Sequence, residues 1–361
     1  VEQKTQVPSN QIVSLVTVFL IGTITIISPA NEMGKYSYIS VLLAFLIYLV
    51  VLGLYYLLSS LEPDKNLFAI HDAAYGRIIG TIVNLFYLVY FFAVTTLIVA
   101  NFVNFINTAI LVRTPDLVIA SLIVLSIVYS ARARLRAILK FSELSFVLTI
   151  VTIVGVTLMV AELMDPRNLL PVIPSDWSAV VDSSFTVFSF PFGEMVIVLS
   201  VAGLLGKPRQ VFKSFTKGSF LALALILTVV LRHVLVLGEF TSMTSYPSFE
   251  TARLINISQV LTRTEVFVAL NFVFSGLLKG FVSFYSLARG IKETFKLKTC
   301  KHLILPLGAL VALSAHLSFP SILQNVYFAA EFYRYYAFIP QVVLILITFV
   351  VLYIRKKVQA K

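Results

Sequence analysis

Apolar residues along this chain fall in long, nearly unbroken runs rather than in the three- and four-residue spacing that gives a surface helix one apolar face. Ten runs stand out, at about 11–30, 37–60, 80–108, 115–130, 142–163, 183–205, 217–238, 264–288, 302–319 and 333–354. Most are long enough to cross the hydrocarbon core of a bilayer as a helix, and the connections between them are short. The alternating segments of a membrane β-barrel are absent. The pattern predicts an all-α polytopic membrane protein of ten transmembrane helices, forming a single transmembrane domain over residues 1–361.

Two of the runs are broken from within. In the first, Leu20-Ile21-Gly22-Thr23-Ile24-Thr25 is followed by Ser28-Pro29. In the sixth, Ser189-Phe190-Pro191-Phe192-Gly193-Glu194 places a proline, a glycine and a carboxylate inside Phe185–Leu205. An interrupted helix in lipid frees backbone N–H and C=O groups, which is tolerated only where protein or a wet cavity covers them. Five spans separate the two breaks, and because five is odd the second half enters the membrane from the opposite side. The expectation is an inverted repeat, about 10–165 against 180–355, with the unwound middles of helices 1 and 6 facing each other near the midplane. Half-helix N-termini there offer N–H groups to an anion and unwound carbonyls accept from a cation, which suits a zwitterion such as an amino acid.

Composition agrees with a membrane protein, since 59% of the residues are hydrophobic, 12% are charged and the mean hydropathy is +0.95. In a soluble protein the formal charge of +11 would point to nucleic acid, but here the basic residues crowd alternate loops. Twenty of them form one alternating set (Lys4; Lys65 and Arg77; Arg132 to Lys140; Lys207 to Lys217; Arg289 to Lys301; Arg355 to Lys361). Six form the other, namely Lys35, Arg113, Arg167, Arg253, Arg263 and Arg334. The positive-inside rule then puts both termini on the cytoplasmic side, with lipid headgroups rather than nucleic acid as the partner of the basic loops. The segment Val1–Ser9 is polar and Gln11–Ala30 lacks a small-residue cleavage pattern, so the first run is expected to remain as a span. The single Cys300 makes no internal disulfide. Walker loops, zinc motifs and nucleophile elbows are absent and the four histidines are scattered, so neither catalysis, a metal nor a cofactor is expected.

Ionisable residues inside spans are expensive unless paired or hydrated, so each is a candidate for function. Glu194 follows the Pro-Phe-Gly break; it either caps the N–H groups of the following half-helix or takes part in ligand or proton binding. Lys279 lies mid-span among Ser275, Gly276 and Gly280, too deep to snorkel. It should face the bundle interior, either lining the central cavity or paired with Glu194 or another carboxylate. Arg232 and His233 are expected near the outer end of their span, reaching toward the interface, and His316 likewise. The connection Asn66–Gly80 is expected at the inner membrane surface with His71 exposed. Glu143 is placed at the cytoplasmic edge, Trp177 as an interfacial anchor in an outer loop, and Tyr246–Thr264 as a short helix over the outer face. Asn101 and Asn104 share a helical face, either bonding to a neighbouring helix or lining an outer vestibule. Asn256-Ile257-Ser258 matches a glycosylation acceptor, a triplet too common to carry weight.

Taken as a set, Leu20-Ile21-Gly22-Thr23 with Ser28-Pro29, Gly76-Arg77-Ile78-Ile79-Gly80, Arg113-Thr114-Pro115, Phe190-Pro191-Phe192-Gly193-Glu194 and Arg289-Gly290-Ile291-Lys292-Glu293-Thr294-Phe295 resemble the B subunits of GerA-type spore germination receptors. That family is similar to permeases of the amino acid, polyamine and organocation superfamily. The resemblance implies a LeuT-like five-plus-five fold in the spore inner membrane, sensing a nutrient germinant together with an A subunit and a lipoprotein C subunit. It also implies a ligand pocket that involves Gly22 and Thr23, Val94, Pro191 to Gly193, and Lys279 with Gly280. Thr25, Phe190, Phe192 and Glu194 complete the candidate binding set. Ile24 and Lys279 depart from the family pattern, which more often has small residues there, so the ligand's identity stays open. The alternatives are a proton-coupled amino acid transporter and a ligand-gated conduit for ions or water.

Overall fold

The computed structural model of the chain describes residues 7–25, 27–111, 113–132, 135–255, 263–318, 324 and 327–359. Its organising element is too short to cross a bilayer alone. Helix α1, Ser9–Ile21, is apolar around its whole circumference, and nearly every residue from Ile12 onward is buried. A helix that is hydrophobic on all sides belongs in the middle of a bundle. Accordingly it is surrounded by α6 (Leu135–Met159), α10 (Pro208–Leu237) and α12 (Glu265–Thr294). Small residues make that proximity possible. Gly218 of α10 lies against the Val13 carbonyl and the Val16 side chain, and the Thr17 hydroxyl donates to the Gly218 carbonyl at 3.0 Å.

Around this centre stand α2 (Ser37–Leu61), α4 (Arg77–Ala109), α5 (Asp116–Arg132) and α13 (Lys301–Ser318), with α12 packed on α4, α5 and α6. The outer faces carry Val50, Ile78, Tyr129 and Leu158, each at least 70% exposed. In water such a surface would aggregate; against lipid tails it is matched to its solvent. Eight helices among the described residues are long and apolar enough to cross a membrane, and no strand is present among them. The first and fourth expected runs form shorter helices, of 13 residues for α1 and 17 for α5.

Helix ends differ from the apolar runs wherever polar residues continue the helix beyond the hydrocarbon. Helix α10 starts nine residues before the expected 217, so Arg209, Lys213 and Lys217 of the basic connection are helical. Helix α12 likewise runs on to Thr294. The connection 66–80 holds α3 (Leu67–Tyr75), capped at its start by the Asn66 side chain accepting from the Ala69 N–H. Gly76 then turns the chain into α4 at φ +78°, a conformation that suits glycine. His71 is not exposed as expected. It is buried, bonded through Nδ1 to Asn84 Oδ1 at 2.7 Å and stacked on Tyr87, because α3 packs its apolar face onto α4 instead of resting on the surface.

Arg232 and His233 are also buried rather than reaching for an interface, since α10 continues into a cap made by α11 (Pro247–Arg253). Trp177 opens α7 (Trp177–Val187) and is half exposed. Of the segment expected over one face of the bundle, α11 is observed; the Asn256-Ile257-Ser258 triplet lies outside the described residues, as do Lys4, Arg134 and Lys361 of the basic tally.

Candidate functional site

Both expected interruptions are present. Helix α1 ends at Ile21 and a turn follows over 22–25. In the sixth run, α7 passes into a π-helical stretch, Phe188–Phe192, in which Phe190 takes an extended backbone at φ −143°, ψ 110°. A short helix α8, Met195–Leu199, resumes beyond Glu194. Proline at 191 supplies no N–H, which is why the ladder fails there.

The last span is interrupted as well. It holds two π-helical stretches, Ala329–Tyr333 and Ile339–Val343, on either side of α14 (Arg334–Phe338), before α15 (Leu344–Gln359). Wider π turns redirect side chains relative to an α-helix and recur at functional sites. Here Tyr333 and Gln341 both point into the bundle and are buried.

These breaks converge on an ion pair. Lys279 of α12 and Glu194 form a salt bridge with both side chains almost completely buried. The Lys279 ammonium also donates to Thr23 Oγ1 at 3.3 Å, in the turn after α1, and lies 4.5 Å from the centre of the Phe190 ring. On the other side, the Tyr333 hydroxyl donates to Glu194 Oε1 at 2.7 Å. Tyr90 of α4 lies 3.3 Å from Tyr333 and accepts from Gln341 Nε2 at 2.8 Å, while the same amide also donates to the Ser189 carbonyl. Tyr55 of α2 donates to the Gln341 carbonyl at 2.8 Å. A polar path thus crosses the core from α1 to α2. Glu194 stands at the N-terminus of α8, but its side chain makes no capping hydrogen bond. The ion pair takes the carboxylate instead.

Beside this path lies a cavity of about 330 Å³. Its walls come from both interrupted runs: residues 27–32 on one side, and Thr186, Val187, Phe190 and Glu194 on the other. Val94, Asn101, Tyr333 and the turn at 242–245 close it. Among the described residues its lining includes two carboxylates, Glu32 and Glu194, and no lysine, arginine or histidine.

The expected binding residues do not all meet there. Val94, Phe190 and Glu194 border the cavity; Thr23 and Lys279 lie behind Glu194 in the ion-pair network. Gly22 is a packing contact, with its carbonyl accepting from Ser275 at 3.1 Å. Pro191 is buried in the break, and Phe192 turns away to stack on Tyr48. Gly193 sits under the Gln341 amide, where any side chain would overlap, and Gly280 faces Ile127 and Ile98. Thr25 opens onto a second, smaller cavity beside Arg232. A broken helix sends successive side chains to different faces, so residues adjacent in sequence serve different contacts.

A model of a family described as spore germination protein, the spore permeases, matches residues 6–321. The chain belongs to this spore germination protein family. It is 24% identical to spore germination protein KB of Bacillus subtilis (strain 168) over 310 residues, 85% of this chain and 83% of that protein. It is also 25% identical to the putative spore germination protein YfkT of the same organism over 248 residues, 68% of this chain and 66% of that one. The resemblance to B subunits of GerA-type receptors is borne out, and the apolar helices and family together make this an integral membrane protein of the spore.

For this family member, the site residues missed from sequence are Glu32, Tyr90, Tyr333 and Gln341. One signal was available, because Pro340 and Gln341 sit inside the last apolar run. Proline in a membrane helix with a polar neighbour marks a place where backbone groups need partners.

Proposed function

We propose that this chain is the germinant-binding subunit of a spore receptor and that the cavity bordered by Glu194 receives a small molecule bearing an ammonium group, an amino acid being the simplest. The observation that carries the reading is the charge of the lining. A cavity of about 330 Å³ that offers the oxygens of Glu32 and of the Lys279-paired Glu194, with no basic side chain among the described residues lining it, suits the cationic end of a zwitterion. Asn101 and the hydroxyls of Ser28 and Tyr333 supply neutral polar contacts, and Val94 and Phe190 supply the apolar wall. A ligand ammonium arriving at Glu194 competes with Lys279 for the same carboxylate. Weakening that pair loosens the joint between α12 and the two breaks, which is how occupancy shifts a conformational equilibrium that partner subunits read.

In this reading the chain has ten spans in a LeuT-like five-plus-five arrangement, with α1 and α5 as its two short members. It sits in the spore inner membrane, both termini cytoplasmic, and works with an A subunit and a lipoprotein C subunit. It catalyses no reaction and uses no cofactor or metal. The test uses the purified chain in nanodiscs and in proteoliposomes. Saturable binding of an amino acid, lost when its amino group is acetylated, together with no concentrative uptake, is the expected result. Uptake against a gradient would move the assignment to a proton-coupled transporter, and ligand-triggered but non-concentrative flux to a conduit.

A further inference from the structure

Arg232 is a buried cation without a counter-ion among the described residues. It is 3% exposed, and its guanidinium reaches only hydroxyl oxygens, Thr157 Oγ1 at 3.3 Å and Ser248 Oγ at 3.4 Å. Its Nε has no partner, and no carboxylate among the described residues pairs with it. Its neighbour His233 bonds to the Ser248 and Ser28 hydroxyls and brings no negative charge. A guanidinium stays charged at any physiological pH, so burial cannot be relieved by losing a proton. Hydroxyls at the long end of hydrogen-bond range compensate poorly for lost water.

Next to this guanidinium is a cavity of about 10 Å³ where Thr25, Thr152, Ser248 and Asn271 form the polar wall and Ile153, Val229 and Val268 the apolar one, room for about one water-sized particle. The Thr25 hydroxyl is buried there with no partner. Asn271 accepts from Thr149 through Oδ1 at 2.8 Å, which leaves its NH2 group to donate. The lining therefore combines one permanent positive charge with side-chain donors and no carboxylate.

We propose that this cavity binds a single chloride-sized inorganic anion, held by Arg232, Thr25 and Asn271. Its size favours a monatomic ion over a carboxylate, whose carbon and second oxygen have nowhere to go. A neutral water would fill the space but leave the charge uncompensated. The site is separate from the germinant cavity, and the inference does not depend on that assignment. Because Thr25 belongs to the turn that ends α1, the anion would tie the first break to α10 and α12.

The probe is chloride itself, applied to the purified full chain in detergent at constant ionic strength, with gluconate as the replacement anion. The expected result is a saturable rise in Tm as chloride replaces gluconate, reproduced by bromide. Thr25→Val, which keeps the shape and removes the hydroxyl, should raise the half-saturating chloride concentration roughly tenfold. Arg232→Gln should remove the chloride dependence; if that variant does not fold, the Thr25→Val titration still decides. A wild-type Tm that is the same in chloride and gluconate overturns the proposal. So does a rise with acetate but not chloride, which would make the site a carboxylate seat, or a chloride effect that Thr25→Val leaves unchanged.

Discussion

The Glu194 carboxylate receives the Lys279 ammonium on one oxygen and the Tyr333 hydroxyl on the other, with all three side chains buried. This fixes the direction of the whole polar path. Each hydroxyl has one proton to give, so Tyr333, having donated to Glu194, accepts from Tyr90, which in turn accepts from Gln341. Protons on that side all point toward the carboxylate, and such chains strengthen one another in a low dielectric. Any ligand that engages Glu194 is therefore felt at α2, α4, α12 and the last span together.

That arrangement predicts strong coupling between the two charges. Lys279→Met leaves a buried carboxylate with only a hydroxyl partner, and Glu194→Gln leaves a buried ammonium; each should destabilise by about 3–5 kcal/mol. The double variant removes both charges and should lose much less than the sum of the two. Thermal unfolding of all four proteins in one detergent measures the coupling. Strictly additive losses would show that the pair contributes nothing as a pair.

At Gly22 the constraint is steric rather than electrostatic. A Cβ there would stand 3.0 Å from the Lys279 Cβ and 3.0 Å from the Ser275 carbonyl oxygen. Gly22→Ala should push α1 from α12 and destabilise by about 1–3 kcal/mol. Gly22→Leu should abolish the germinant response while the protein still reaches the membrane. Spore germination assays with immunoblots of the membrane fraction check both, and a normal dose response for the leucine variant would free Gly22 of this role.

What could be read from the chain alone followed from how far each signal reaches. Long apolar runs and two internal breaks are local patterns, so the helical membrane class and the interruptions at Gly22–Thr25 and Phe190–Pro191 were visible. A lysine too deep to snorkel had to face inward, and Lys279 does. Which neighbours a residue meets is not local. Arg232 looked interfacial because its distance from the span end was counted along the sequence, whereas α11 folds over that end and buries it. The resemblance implies Phe192 and Gly193 in the pocket beside Glu194, but the break turns them toward Tyr48 and Gln341. Gln341 itself was hidden in an apolar run, its role set by a break that Pro340 alone only hinted at.

His71 predicts how stability responds to acid. Burial pushes its imidazole down to about 4, with the Asn84 hydrogen bond opposing that shift. The folded state therefore holds the neutral ring, while the unfolded chain takes up a proton near the ordinary value of about 6.5. The neutral ring's contribution is complete above that value and is lost as pH falls toward 4, by up to about 3 kcal/mol. Tm measured between pH 7 and pH 4 should fall more steeply in the wild type than in His71→Gln. Parallel curves would remove His71 from the acid response.

Val94 tests the cavity while leaving the ion pair untouched. It borders the cavity from α4, yet belongs neither to the ion pair nor to either break. Val94 is fully buried at the edge of the cavity, so the larger ring of Val94→Phe crowds its neighbours and narrows the space a ligand would use. The extra bulk should cost about 1–3 kcal/mol of stability and raise the germinant concentration needed for half-response by about tenfold or more. Dose–response curves on spores and ligand binding in nanodiscs should move together. If the response shifts while binding by the isolated chain does not, the cavity transmits the signal instead of receiving the ligand, and the germinant must be sought on another surface.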